Sequence, residues 1–154
     1  MNDYGDFDRM AEIIGKTGIY SGLTSGTSME PLIHHQRDAI IVTKADGRLK
    51  KYDIPVYKGK NGKMIMHRIV KVCDNHYVVH GDNTNYTEYV TDDMIVGRLA
   101  GFYKNGKKYI DLEKNNIYKL YSRFWVAILP LRPVTMFINR GIRYIKRKIF
   151  KRGI

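Results

Sequence analysis

The sequence contains one cysteine, Cys73, which excludes an internal disulfide framework and any cysteine-based zinc site. Cys73 is also poorly placed as a nucleophile. Val72 and Asp74 flank it at the end of an expected strand, with no glycine-rich corner beside it. Long apolar runs are missing as well. No uninterrupted stretch of about 20 apolar residues occurs, so no ordinary membrane span is expected. A secretory signal is not expected at the start either, where Asp3, Asp6 and Asp8 carry the wrong sign and no apolar run follows. Internal repeats and low-complexity segments are absent. Negative charge is missing from the last quarter: Glu113 is the last acidic residue, and 11 of the 27 Lys and Arg follow it. Up to Glu113 the chain is nearly neutral, with 16 basic and 15 acidic groups, so the net charge of +12 belongs to the tail. A tail of that kind attracts anionic lipid or nucleic acid.

A chain of 154 residues suits one domain with a short appendage. Apolar spacing at Phe7, Met10, Ala11, Ile13 and Ile14 predicts a short N-terminal helix that stops near Gly15 or Gly18. Strands are expected over 19–24, 39–43, 52–57, 64–72, 77–80, 94–103 and 108–112, with turns at His34–Asp38, Asp46-Gly47, Asn61-Gly62, Asn75, Gly81-Asp82-Asn83 and Asn105-Gly106. Pro55 marks 52–57 as an edge strand. Alternation along 64–72 puts Ile65, His67, Ile69 and Lys71 on one face. The body over 1–112 is therefore read as mainly β. From Glu113 the period becomes helical: Ile117, Leu120, Tyr121, Phe124 and Ile128 share a face, Pro130 and Pro133 interrupt it, and 134–150 predicts a second helix with a basic side. This 113–154 segment reads as basic amphipathic helices. They form either a helical hairpin packed on the body or interfacial membrane helices with Trp125 and the arginines at headgroup level.

The candidate chemistry starts at Ser25-Gly26-Thr27-Ser28-Met29-Glu30-Pro31. Gly26 lets the backbone bend, and Pro31 fixes φ just beyond. A serine at such a corner presents its hydroxyl and keeps its own N–H free, which an acyl-transfer nucleophile needs. The bland alternative is an ordinary Ser/Gly turn. His67 lies in an apolar strand, where a histidine is usually structural. Asp82 follows at a sharp turn, and Glu88 six residues later.

Taken in order, Ser25 to Leu32, the Arg37-Asp38 turn, Tyr52-Asp53-Ile54, His67-Arg68-Ile69-Val70, Gly81-Asp82-Asn83 and Ile95-Val96-Gly97-Arg98 resemble the type I signal peptidases and the wider LexA-like serine peptidases. The resemblance spans about residues 19–111. Bacterial and LexA-like members use a lysine base, whereas the archaeal and endoplasmic-reticulum branch uses histidine followed by arginine. His67-Arg68 is similar to the second branch, and Lys63 and Lys71 do not align with the family's lysine. The resemblance implies a β body of signal-peptidase type and a serine endopeptidase that cleaves leader or signal peptides after small residues. Ser28 is then the nucleophile and His67 the base, with Asp82 or Glu88 behind the imidazole. Glu88 stands where the branch has Asp, so which acid meets His67 is open. Met29, Gly26 and Thr27 line the substrate site. The Ser28 N–H serves the oxyanion hole; Gly26 replaces the family's second donor, and Thr27 and Ser25 are the available substitutes. Neither cofactor nor metal is implied.

Only 27 residues precede Ser28, partly acidic where the family usually has a membrane span, and too few for a LexA-type DNA-binding domain. Membrane association through the C-terminal region is the expected location, with the cytoplasm as the alternative if the tail does not insert. The rival functions are a non-catalytic basic module on nucleic acid or anionic membrane, and a self-cleaving LexA-like regulator. Nucleic acid is the less expected partner, because phosphate binding does not need the apolar face of 134–150.

Overall fold

The computed structural model describes residues 3–59 and 62–131, with the side chains of the first helix described from Asp8 onward. Over the described residues the chain is mainly β, built from two antiparallel sheets and two helices. The predicted helix over 134–150, Arg132, Pro133, Asn61 and the Phe7 side chain lie outside the described residues.

Helix α1 (Asp3–Thr17) begins earlier than its apolar spacing predicts. Met10 and Ile14, one turn apart, are buried on its inner face. It stops where Gly18 adopts a φ of 77° and donates its N–H to the Ile14 carbonyl at 2.9 Å. The larger sheet contains β1 (Ile19–Leu23), β2 (Ala39–Thr43), β3 (Pro55–Lys58), β4 (Met64–Met66), β8 (Ile95–Lys104) and β9 (Lys108–Asp111). Its path runs β1-β2-β8-β3-β4, with β9 also on β8. The smaller sheet is the meander of β5 (Arg68–Val72), β6 (Tyr77–His80) and β7 (Thr87–Val90).

Two strand expectations need correction. Residues 52–57 do not form one edge strand. Tyr52 sits at φ 81° in a turn, and β3 starts only at Pro55 and pairs on both sides, with β4 and β8. Proline is tolerated in this interior strand because it is the first residue. Nor is 64–72 one strand. The chain leaves the larger sheet after Met66 and enters the smaller one at Arg68, so His67 is the crossing point. Strict alternation fails there, and Met66, His67, Arg68 and Ile69 are all buried in succession. β7, which carries Glu88, has no counterpart among the predicted strands.

The crossing separates two cores. Met10, Ile14, Met29, Ile33, Val56 and Met66 belong to the first, between α1 and the larger sheet. Tyr57, Ile69, Tyr77, Val79 and Val90 belong to the second, with the smaller sheet. Neighbours on β3 therefore point opposite ways: Val56 into one core, Tyr57 into the other.

Helix α2 (Asn116–Ala127) starts at Asn115, whose side chain accepts the Tyr118 N–H at 2.9 Å. Its buried residues are Tyr118 and Ser122. Of the apolar face read from the sequence, Ile117, Leu120 and Phe124 lie outermost, at 82%, 68% and 58% exposure, whereas Tyr121 and Ile128 are half-buried and Tyr121 packs on the first core. α2 thus packs on the body through Tyr118, Tyr121 and Ser122. Among the described residues, no helix is long and apolar enough to cross a membrane.

Candidate active site

Between β1 and β2 the chain makes an irregular series of turns over 24–38, and this contains the serine corner. Gly26 has φ 89°, a left-handed conformation in which a side chain would be strained, and its N–H donates to His35 Nδ1 at 3.0 Å. The far end of the turn is held by Asp38, a buried carboxylate that sequence reading noted only as part of a turn. It accepts from the His34 and Asn105 N–H groups, each at 2.9 Å, and from Arg37. Burial alone would raise the Asp38 carboxyl, but the bonds from Arg37, Asn105 and His34 outweigh it and hold the group at about 2. Ser28 is half-buried on this frame. Among the described residues it donates no hydrogen bond from either its N–H or its hydroxyl. Ser28 and His67 both line one cavity of about 320 Å³, together with Gly26, Met29 and Ser25; Thr27 is outside that wall.

The turn Gly81-Asp82-Asn83 clasps the corner from the other side. The Asn83 N–H donates to the Ser28 carbonyl at 2.7 Å, and its side-chain amide donates to the Thr27 carbonyl at 3.2 Å. Gly81 fills the remaining gap. A Cβ there would fall 2.9 Å from His67 Nε2 and 2.9 Å from the Ser28 carbonyl oxygen. Glycine is what lets the imidazole and the corner come this close. No direct hydrogen bond links Ser28 Oγ to His67 Nε2 among the described residues; such contacts commonly tighten only when substrate is bound.

The other imidazole nitrogen is fully engaged. His67 Nδ1 lies 2.8 Å from Glu88 Oε2 and 3.1 Å from the Tyr57 hydroxyl oxygen, and Tyr57 donates to the same Glu88 oxygen at 2.7 Å. Tyr57 has a single proton, and Glu88 receives it. Whichever oxygen Nδ1 addresses, Nδ1 must therefore be the donor. That fixes the tautomer and leaves Nε2 as an acceptor on the Gly81–Ser28 side. Burial pushes the His67 imidazole below its ordinary value, against the pull of Glu88. Burial and Glu88 together push the Tyr57 hydroxyl up, so it stays protonated. Tyr86 meets the His67 ring edge-on, with centroids 6.1 Å apart, and borders the cavity.

The two candidate acids are therefore separated. Glu88 joins His67. Asp82 instead makes a bidentate pair with Arg68, at 2.9 Å to Nε and 2.7 Å to Nη2. Arg68 also donates to Tyr118 at 2.9 Å and Ser122 at 2.7 Å, while Tyr121 donates to Asp82 at 3.0 Å and Trp125 donates to the Asp82 carbonyl at 3.1 Å. Burial opposes the Arg68 charge, yet Asp82 and Tyr118 keep its affinity for the proton raised. The pair thus locks α2 onto the strand that follows His67. Among the described residues, no three His, Cys, Asp or Glu side chains gather as a metal site.

Sequence reading missed Tyr57, the clasp by Asn83 and the contribution of Met10 to the cavity wall. Tyr57 had one usable signal, the alternation with Val56 that sends it to the opposite face. Compared with known proteins, the chain matches no family model and no curated protein.

Proposed function

We propose that this chain is a serine endopeptidase of signal peptidase type, on the histidine-base branch, and that it cleaves leader or signal peptides after small residues. The supporting observation is the tautomer of His67: its Nδ1 proton is committed to the Glu88–Tyr57 side, and Nε2 is left as an acceptor facing the serine corner. In this reading Ser28 Oγ attacks the scissile carbonyl carbon, and its proton passes to Nε2. The Ser28 N–H meets the developing oxyanion. The imidazolium, stabilised by Glu88, then gives its proton to the leaving amine. Water hydrolyses the acyl-serine ester by the same route in reverse.

The sheet supplies a path for an extended substrate. β1 and β4 are the two ends of its strand order, and Tyr20 and Leu23 of β1 and Met64 of β4 all border the cavity. Among the described residues neither end strand pairs on its outer side, and such edges offer backbone donors and acceptors to a peptide lying between them. Lys63 is a weaker base candidate, since it is exposed at the rim and lacks the desolvation a neutral lysine requires.

The test is turnover of an alanine-rich leader peptide in detergent or lipid, with serine-directed phosphonate labelling. Ser28→Ala and His67→Ala should each lower turnover by about a thousandfold or more, and Ser28→Ala should abolish labelling. Activity retained in either variant removes the mechanism.

A further inference from the structure

The outer face of α2 has no function in the peptidase reading. Ile117, Leu120 and Phe124 recur at steps of three and four residues, so they form one stripe along the helix, and Leu131 in the turn just beyond is also exposed, at 61%. Large side chains in contiguous exposed array mark an interaction surface. The helix does not need that stripe to stay folded on the body. Tyr118, Tyr121, Ser122 and Trp125 already hold its inner side to Arg68 and Asp82.

What borders the stripe indicates its occupant. On one flank Lys119 and Arg123, one turn apart, are exposed. On the body side Tyr121 and Trp125 stack with their rings 5.3 Å apart, and their hydroxyl and indole N–H are spent on Asp82. An exposed apolar stripe bordered by basic residues suits the plane where acyl chains meet headgroups. The charge is one-sided as well, since no acidic residue follows Glu113 in the sequence. We propose that α2 lies in the surface of an anionic lipid bilayer, with Ile117, Leu120, Phe124 and Leu131 inserted among the acyl chains and Lys119 and Arg123 at the phosphates. The docking is independent of the peptidase chemistry, so either reading can fail without the other.

Trp125 is the single tryptophan of the chain and sits on this helix, so its emission reports α2 directly. The full-length protein is mixed with phosphatidylcholine vesicles with and without phosphatidylglycerol, and partition is measured by co-sedimentation. Brominated acyl chains serve as the quencher. Binding should require the anionic lipid and weaken with salt, and Trp125 should be quenched. Leu120→Asp with Phe124→Asp should reduce partition more than about tenfold. Lys119→Gln with Arg123→Gln should reduce it by about fivefold per charge. Both double variants should keep the far-ultraviolet spectrum and thermal midpoint of the parent, because the altered side chains are exposed. Ser28→Ala should bind like the parent. Unchanged partition of the Leu120/Phe124 variant, with Trp125 unquenched in the parent, would assign any binding to residues after Leu131 and overturn the proposal. A parent dimer that this variant dissociates would also overturn it, by making the stripe a contact between copies.

Discussion

His67 and Arg68 are consecutive, equally buried at 1% exposure, and each faces a carboxylate, yet the two pairs have opposite characters. Arg68 and Asp82 form a sealed bidentate pair, with both side chains 1% exposed, and further hydrogen bonds from Arg68 and to Asp82 complete it. Arg68 does not give up its proton near neutral pH, because an arginine stays charged and Asp82 strengthens its hold. His67 meets Glu88, whose side chain is 26% exposed and which shares its oxygen with Tyr57. There burial favours the neutral imidazole, and one nitrogen remains open. One pair fastens a helix to a strand. The other is suited to moving a proton. Because the chain changes sheets at His67, alternation lapses and two adjacent buried positions serve both purposes.

That contrast is broken most directly by neutralising each acid. Glu88→Gln should lower peptide turnover by about a thousandfold or more, since an amide no longer enforces the Nδ1–H tautomer. The thermal midpoint should move little, because Glu88 is partly exposed. Its residual activity should also respond differently to pH. Glu88 raises the His67 pKa against burial. Without the carboxylate burial is opposed only by the weaker pull of Asp82, so the acid limb of the pH–rate profile should shift to lower pH. Asp82→Ala should show the reverse balance. It leaves Arg68 charged and unpaired in the interior, at a cost of about 3–5 kcal/mol, and chemical denaturation of this variant beside Ser28→Ala would measure it. If Asp82→Ala kept full stability and lost only turnover, the division of labour between the acids would be wrong.

The sequence carried the serine corner, the two acids and most strands, because these are local signals: a glycine at a bend, a turn dipeptide, a β-branched run. It left open which acid serves which base, since that depends on a sheet-to-sheet crossing at His67 that periodicity reads as one continuous strand. Residues 52–57 failed for a related reason. The apolar run is real, but Tyr52 at positive φ ends the turn before the strand begins, and single-residue backbone states leave little trace in composition. On α2 the apolar periodicity located the helix but not which residues turn inward: Tyr121 packs on the core, while Ile117, Leu120 and Phe124 stay outside. The decisive residues on the inner side are hydroxyl-bearing, and they pack because a buried ion pair from elsewhere in the chain requires donors there. Asn83 is a further case. It reads as an ordinary turn residue until the backbone it bonds proves to be that of Thr27 and Ser28.

Tyr57 offers the finest test of the proton-moving side, because its removal should shift the pH profile in the opposite direction to Glu88→Gln. Its hydroxyl donates to Glu88 at 2.7 Å and so takes up part of the carboxylate's negative charge. In Tyr57→Phe that donor is gone, and the whole charge acts on His67. The imidazolium is then favoured, and the acid limb should move to higher pH by less than about one pH unit. The ring remains to keep its edge contact with the imidazole, at 6.2 Å between centroids in the parent, so the geometry should persist. The stability loss should be about 1 kcal/mol, that of one buried hydrogen bond. Turnover above the limb should fall by about tenfold or less, because the tautomer is still set by Glu88. A shift toward lower pH, like that of Glu88→Gln, would mean that Tyr57 holds Glu88 in place rather than moderating its charge, and the hydroxyl would then be a positioning group only.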